Sequence, residues 1–430
     1  MVPTKKVAEA LVQQRGDNIM NKLTVSILIL SLLLLLQPES RAVQIQDLLG
    51  VNGSPNDHNL EKFHIKWVRA DFSWKNVEKK KGVYDWEKYD KMISLAQKKG
   101  FTLLPIVGYT PIWGGDGSQS SPPADVKKWT DFINAMVNRY SKPPFNIQYY
   151  QIWNEPTRKA GFWKGTDEQF INLIYLPAAK IIRNNGGKVV FGGWPISNNI
   201  KQLLKILNTS KAYKYTDIIA FHYRSSKAYD AVYDNFVKSG PVTGIWQTEI
   251  GYTDKPYFLL TEYSKILSWV IEHNWNESDQ YKIFWYPFFS NRQNYKKAIY
   301  AKINNNEFVT SNGKQLSLFL DIYSGGNLYP LKHWSTNSNP EDHSFAINVK
   351  GKKIIYTIFM NNKKIIDKNT YYVLTNKIKV KNAMGYCSNG TKAKYTRYNQ
   401  VAGHIALQFE NDELNNICGD NPVYYVILNY

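Results

Sequence analysis

From residue 43 onward the chain alternates short apolar runs with segments whose apolar residues recur at helical spacing. Eight runs read as strands: Leu48–Asn52, Lys66–Asp71, Thr102–Gly108, Ile147–Asn154, Lys188–Trp194, Asp217–Tyr223, Gly244–Glu249 and Lys282–Phe288. Several are almost continuously apolar, as parallel strands covered on both faces must be. Between them, Trp86, Tyr89, Ile93 and Ala96 share one helical face, with Gly100 at the expected C-cap. A second helix takes Ser121 as its N-cap, proline at its first position and an inward stripe of Val126, Trp129, Ile133, Met136 and Tyr140. Thr166 and Gln169 have capping-box spacing ahead of a helix running towards Arg183, which Pro177 is expected to kink. The repeat predicts an α/β fold, a (β/α)8 TIM barrel spanning 43–337. An open doubly wound sheet is the alternative, but no Gly-rich dinucleotide loop follows an early strand.

From about Ser338 the period changes to two. Ser344–Val349, Lys353–Asn361, Tyr371–Leu374, Ile405–Phe409 and Val423–Leu428 alternate between polar turns, which predicts a small C-terminal antiparallel β-sandwich over 338–430.

Composition narrows the class. Of 430 residues 43% are hydrophobic, which excludes a disordered chain, and the 14% of aromatics suits a protein that stacks on sugar faces. The formal charge of +19 would fit a polyanion-binding surface, yet the lysines are scattered and their longest run is Lys79-Lys80-Lys81. With no zinc-finger, basic-zipper or RNA-binding signature, no nucleic-acid partner is expected. Leu23–Leu36 is apolar but shorter than a comfortable span of about 20 residues. Lys22 precedes it and Ser40-Arg41-Ala42 follows as a small-x-small cleavage pattern, so residues 1–42 read as a signal peptide, with Met20 as an alternative start. The expectation is a secreted or periplasmic protein with no stable membrane insertion once cleaved; an anchor through uncleaved residues 23–36 is the alternative. In such a compartment Cys387 and Cys418 are expected to pair.

Cleaving a glycosidic bond needs two carboxyl groups across the anomeric carbon, and in a barrel the place for them is the C-terminal end of the strands. Glu155 closes the apolar run Tyr149-Tyr150-Gln151-Ile152-Trp153-Asn154, and Glu249 closes Ile245-Trp246-Gln247-Thr248. By count these are the fourth and seventh strands. Trp153-Asn154-Glu155-Pro156 and Thr248-Glu249-Ile250-Gly251 resemble the acid/base and nucleophile motifs of clan A glycoside hydrolases, nearest in pattern to family 39. Trp67-Val68-Arg69-Ala70-Asp71-Phe72, Gly82-Val83-Tyr84-Asp85-Trp86 and Gly108-Tyr109-Thr110-Pro111-Ile112-Trp113 extend the resemblance over roughly Leu48 to Phe289. It implies retaining hydrolysis of a polysaccharide or oligosaccharide, with Glu155 as acid/base and Glu249 as nucleophile. It further implies that Asn154 contacts the sugar 2-hydroxyl and that Arg69 keeps the nucleophile ionised.

The sixth strand departs from the family pattern. Clan members often carry His-x-Tyr there, whereas this chain reads Phe221-His222-Tyr223-Arg224. Alternation puts His222 and Arg224 on one face and Tyr223 on the other unless a bulge intervenes, so either Tyr223 or Arg224 could fill the tyrosine's place. Trp285 is a candidate sugar-stacking platform, and Trp113, Trp163 and Trp194 are candidates for neighbouring subsites. There is no His-Glu-x-x-His, Gly-x-Ser-x-Gly or phosphate-binding Gly-Lys-Ser/Thr motif, so neither metal nor cofactor is expected. The alternatives to a glycosidase are a carbohydrate-binding pseudo-glycosidase and a basic polyanion-binding surface protein; an acidic polysaccharide is one substrate the charge would attract.

Overall fold

Eight parallel strands close into a barrel in sequence order, each hydrogen-bonded to the next and the last returning to the first. They are β1 (Leu49–Asn52), β2 (Trp67–Ser73), β3 (Thr102–Gly108), β4 (Tyr149–Ile152), β5 (Lys188–Trp194), β6 (Ile218–His222), β7 (Gly244–Gly251) and β8 (Tyr281–Tyr286). This computed structural model describes residues 44–273, 279–335, 344–349, 352–359, 370–374, 378–393, 397–401, 403–408, 418 and 423–430. The apolar run 23–36 and its cleavage pattern lie outside them. Among the described residues no helix is long and apolar enough to cross a membrane.

The principal helices are α1 (Glu87–Lys98), α2 (Val126–Tyr140), α3 (Leu176–Asn184), α4 (Ile200–Ser210), α5 (Ser226–Val232), α6 (Phe258–Glu272) and α7 (Ser311–Tyr323). Helix α2 starts later than the sequence suggested. Its N-cap is Asp125, which accepts from the Lys127 N–H, while the Ser121 hydroxyl donates to the Ser118 carbonyl and organises the preceding loop. The Thr166–Gln169 capping box forms as spaced. Pro177 sits at the start of α3, and the turn before it, Phe170–Tyr175, widens into a π-helix. That widening accommodates a ring that cannot donate to the turn behind it.

Inside the barrel the lower end is filled by Trp67, Leu104, Tyr149, Val190, Ile218, Ala220, Trp246 and Phe284. Phe284 fits because Gly50 faces it: a Cβ on Gly50 would lie 2.4 Å from the phenyl ring. The outward row of the same strands packs under the helices as the main core.

Beyond α7 the chain builds two antiparallel sheets. The six-stranded sheet runs Leu328–Leu331, Phe345–Val349, Lys353–Phe359, Val423–Asn429, Asn382–Cys387 and Lys392–Ala393; the four-stranded one runs His333–Ser335, Thr370–Leu374, His404–Gln408 and Arg397–Val401. Strand alternation explains the stacking. Val423, Tyr425 and Ile427 join the barrel core, while Tyr424, Val426 and Leu428 join a second core with Val373, Ile405 and Leu407 of the other sheet. Tyr425 OH lies 3.0 Å from the Ser264 hydroxyl of α6, tying the sheet to the barrel's helices. Cys387 and Cys418 are joined, with Cα atoms 5.4 Å apart, beside this second core. Leu328–Leu331 and His333–Ser335, which lie ahead of residue 338, already belong to these sheets.

Candidate active site

Above the apolar plug, the next inward positions of the same strands are polar. Arg69 lies two residues above Trp67 on β2, Gln151 two above Tyr149 on β4, and His222 two above Ala220 on β6. This follows from the period of a strand. Arg69 is 2% exposed, and a buried guanidinium is tolerable only when its donors are met. Its Nε donates to Gln151 Oε1 at 2.8 Å, one terminal nitrogen to Asn52 Oδ1, and the other to Asn154 Oδ1 at 2.6 Å. Its Nη1 also lies 3.7 Å from Glu249 Oε1.

The two glutamates reach the cavity by departures from regular strand geometry. On β7, Phe221 pairs with Gln247 but His222 pairs with Glu249, so Thr248 is an extra residue; the pairing to β8 slips at the same place. Without this bulge, Glu249 would follow Gln247 and Ile245 towards the outer face. Glu155 lies three residues past the end of β4, not on the strand. Trp153 and Glu155 both have left-handed backbones, at φ 67° and 45°, and the Glu155 N–H donates to the Gly192 carbonyl. The turn folds the chain back over the mouth and aims Glu155 inward.

His222 is fully buried between them. Its Nδ1 lies 2.9 Å from Glu155 Oε1 and 2.9 Å from Glu249 Oε2. Its Nε2 faces Arg69 Nη2 at 3.4 Å; a guanidinium can only donate, so Nδ1 carries the hydrogen that the carboxylates share. Glu155, His222 and Glu249 each offer one oxygen or nitrogen within 4.8 Å of the other two. With Nδ1 engaged by both carboxylates, the trio is joined by a hydrogen-bonded bridge. Burial raises the Glu249 carboxyl's pKa, but the His222 imidazole and the Arg69 guanidinium more than offset it, so the net direction is down. Both glutamates keep an opening to solvent, with side chains 15% and 14% exposed for Glu155 and Glu249.

The cavity holds about 480 Å3 and is lined by Arg69, Asp71, Asn154 and Glu249 on its polar side, and by Tyr109, Phe162, Tyr286 and Phe289 on its aromatic side. Tyr223 enters the site after all. A left-handed backbone at φ 53° follows the slipped pairing, its N–H donates to the Glu249 carbonyl, and its hydroxyl feels the charges of Glu249 and Glu155. Arg224 turns away, donating to the carbonyls of Pro195 and Asn198.

The tryptophan platforms are corrected. Trp285 is 0% exposed, faces the helix layer against Phe258 and Tyr263, and donates from Nε1 to the Lys297 carbonyl. Trp113 packs edge-on against Trp74 and donates to the Glu78 carbonyl. Trp163 and Trp194 are likewise buried. Alternation gave the answer: Phe284 plugs the barrel, so Tyr286, not Trp285, shares its inward face. Tyr286 is 37% exposed and lies beside Tyr252, with ring centroids 5.7 Å apart. Asn52, Asp71, Tyr109 and Gln151 were also missed, although β2 and β4 place Asp71 and Gln151 in register with the inward rows.

A closed eight-stranded barrel with two carboxyl groups facing each other above an apolar plug is the architecture of the clan A glycoside hydrolases, which this chain resembles. Within that clan, residues 46–240 match the model of the family described as Glycosyl hydrolases family 39. A β-xylosidase of Caldicellulosiruptor saccharolyticus is 31% identical over 77 residues, covering 17% of this chain and 16% of the relative. One of Geobacillus stearothermophilus is 30% identical over 83 residues, with the same coverage. The matched stretch thus spans about a sixth of these relatives' length. A family 39 glycoside hydrolase from Bacteroides cellulosilyticus WH2 has the same fold, with a TM-score of 0.61 at 12% identity over 90% of this chain and 82% of its own. A family 30 subfamily 8 xylanase from Clostridium acetobutylicum aligns with a TM-score of 0.58 at 13% identity, over 91% and 97%.

Proposed function

We propose that the chain is a retaining glycoside hydrolase acting on a polysaccharide or oligosaccharide, with Glu249 as nucleophile and Glu155 as acid/base. The observation that carries this reading is the approach of the two carboxyl groups: an oxygen of each lies within 4.8 Å of the other, and both side chains keep some exposure to solvent. Retaining enzymes hold the pair about 5–5.5 Å apart, whereas inverting enzymes need about 6.5–9.5 Å to seat a water between them.

In this reading Glu155 protonates the leaving oxygen while Glu249 attacks the anomeric carbon, forming a glycosyl-enzyme. Glu155, now a carboxylate, then takes a proton from water as that water displaces Glu249. The lowered pKa of Glu249 keeps it ionised for attack. Asn154 gives its Oδ1 to Arg69, which leaves Nδ2 free to donate to the sugar's 2-hydroxyl. Tyr286 and Tyr252 offer the aromatic faces for the ring. The matched relatives named β-xylosidases and the xylanase of the same fold make xylan-type glycans the first substrates to try. Export through residues 1–42, and a division into a barrel and a C-terminal sandwich near residue 338, belong to the same proposal.

The test is nucleophile replacement. Glu249→Ala should reduce sugar release on the order of 10⁴-fold or more. Added azide should restore turnover of activated aryl glycosides as the glycosyl azide of inverted anomeric configuration. Unchanged release by Glu249→Ala and Glu155→Ala would defeat the assignment. Glycan binding without release by the unaltered protein would favour the pseudo-glycosidase.

A further inference from the structure

The wall of the cavity formed by β1, β2 and their loops carries two carboxylates that the proposed reaction leaves unused, Asp57 and Asp71. Asp57 is occupied, since its Oδ2 accepts from the Ser54 N–H at 2.8 Å. Asp71 is not. Strand alternation sets it on the inward row of Arg69, one step nearer the mouth, and its side chain is open to the cavity. Among the described residues no hydrogen bond or ion pair within 4 Å reaches its oxygens. It is close enough to Glu249, Arg69, Tyr109 and Tyr286 for its charge to be coupled to theirs. Its side chain is exposed in the cavity, while the protein packed around it raises its pKa and the charges of Arg69, Lys75 and Lys88 only partly oppose that.

A carboxylate has only acceptor sites, about four of them, and where no protein donor meets them a ligand can supply the donors. Two neighbouring hydroxyls of a sugar do so in bidentate fashion. The lining cation that could receive an acidic group, Arg69, is already committed to Gln151, Asn52, Asn154 and Glu249. A polycationic glycan would instead be repelled by a chain whose formal net charge is strongly positive. We propose that Asp71 is a specificity-determining residue, its oxygens accepting from a hydroxyl pair on the sugar seated against Glu249, so that this position takes a neutral sugar and rejects a uronate or sulfated one. This rests on the glycosidase reading. It assigns the basic exterior no part in choosing the sugar that reacts.

The experiment compares the unaltered protein with Asp71→Asn and Asp71→Ala on 4-nitrophenyl β-xyloside, β-glucoside and β-glucuronide and on the corresponding oligosaccharides. Labelling of Glu249 by 2-deoxy-2-fluoroglycosyl fluorides, read by intact mass, runs alongside. The unaltered protein should prefer a neutral sugar over the uronate by roughly a hundredfold or more in kcat/KM. Asp71→Asn should lose about 10–1,000-fold on the neutral sugar. It should also narrow the neutral-to-uronate ratio below about ten, with the thermal melt unchanged. A preference for the uronate in the unaltered protein, or an Asp71→Asn variant with both rates within twofold, overturns the role of Asp71 while labelling of Glu249 leaves the glycosidase reading standing. No release and no labelling by the unaltered protein with any probe overturns both.

Discussion

The two ends of the barrel interior are built from the same strands, two residues apart, and follow opposite rules. The lower end is an apolar plug of Trp67, Leu104, Tyr149, Val190, Ile218, Ala220, Trp246 and Phe284. There only size and apolarity are demanded, and ideal strand geometry supplies the rest. The upper end is polar and open, and its geometry is irregular wherever a side chain must be aimed. Tyr109, Trp153, Tyr223 and Tyr252, the first residues after β3, β4, β6 and β7, all have left-handed backbones. Non-glycine residues there are uncommon and cost on the order of 1–3 kcal/mol each. The plug stabilises the barrel, and these four left-handed residues stand at the rim that the plug supports.

Breaking the hub of the upper layer should have the largest effect. Arg69→Met removes the cation shared by Asn52, Gln151, Asn154 and Glu249. Turnover should fall on the order of 10³-fold, and stability by about 3–5 kcal/mol, because buried partners lose their donor. The sign for pH follows from Glu249: its folded pKa is held below the ordinary value and it must be ionised to attack. The acidic limb of kcat/KM therefore lies below the usual glutamate range and should move upward in any Arg69→Met activity that survives. A pH–rate profile with an unmoved limb would remove Arg69 from this role.

Next is Gly193→Ala. A Cβ there would stand 2.3 Å from His222 Nε2, on a backbone at φ 52° that disfavours alanine. Displacing His222 disturbs its bridge to both carboxylates, so kcat should drop about 100-fold. A rate within threefold of the parent would mean that the bridge is not needed.

The comparison sharpens further at adjacent residues of β8. Tyr286→Ala should raise KM about tenfold with little change in melting, since its ring faces the cavity. Trp285→Ala should instead cost about 3–5 kcal/mol of stability, being wholly buried. The opposite outcome, binding lost at 285 and stability at 286, would reverse the assignment of the strand's two faces.

Much of this was legible in the sequence, for a physical reason. Barrel strands and amphipathic helices are periodic, so β3 and β5 were placed to the residue, and the carboxylates were found because each follows an apolar strand. The period was not followed far enough on β8, where Phe284 fixed Tyr286 as inward and left Trp285 for the core. The choice between Tyr223 and Arg224 was not legible, because bulges and left-handed turns change the face without changing the pattern. Ser121 was chosen as a cap from residue preference, whereas Asp125 lies nearer to where the helix can first donate.

The smallest effect on turnover belongs to the one charge in the plug. Lys282 is 1% exposed, its Nζ donates to the Asp47 carbonyl at 2.7 Å, and it lies 4.2 Å from the Trp67 ring centroid. Burial, partly opposed by the charges of Asp47 and Asp279, pushes its pKa down to about 7. The unfolded chain keeps a lysine nearer its ordinary value of about 10.4, so between these limits the unfolded state holds the proton more tightly. Lys282 therefore makes stability rise with pH from about 7 upward, by at most about 1.4 kcal/mol per pH unit, and leaves it flat below. Lys282→Met should retain parental turnover and lose that slope. Denaturant unfolding of both proteins at pH 6, 7.5 and 9 checks it: the difference should shift in the parent's favour as pH climbs. A difference constant across the three values would show that the lysine keeps its charge within the plug.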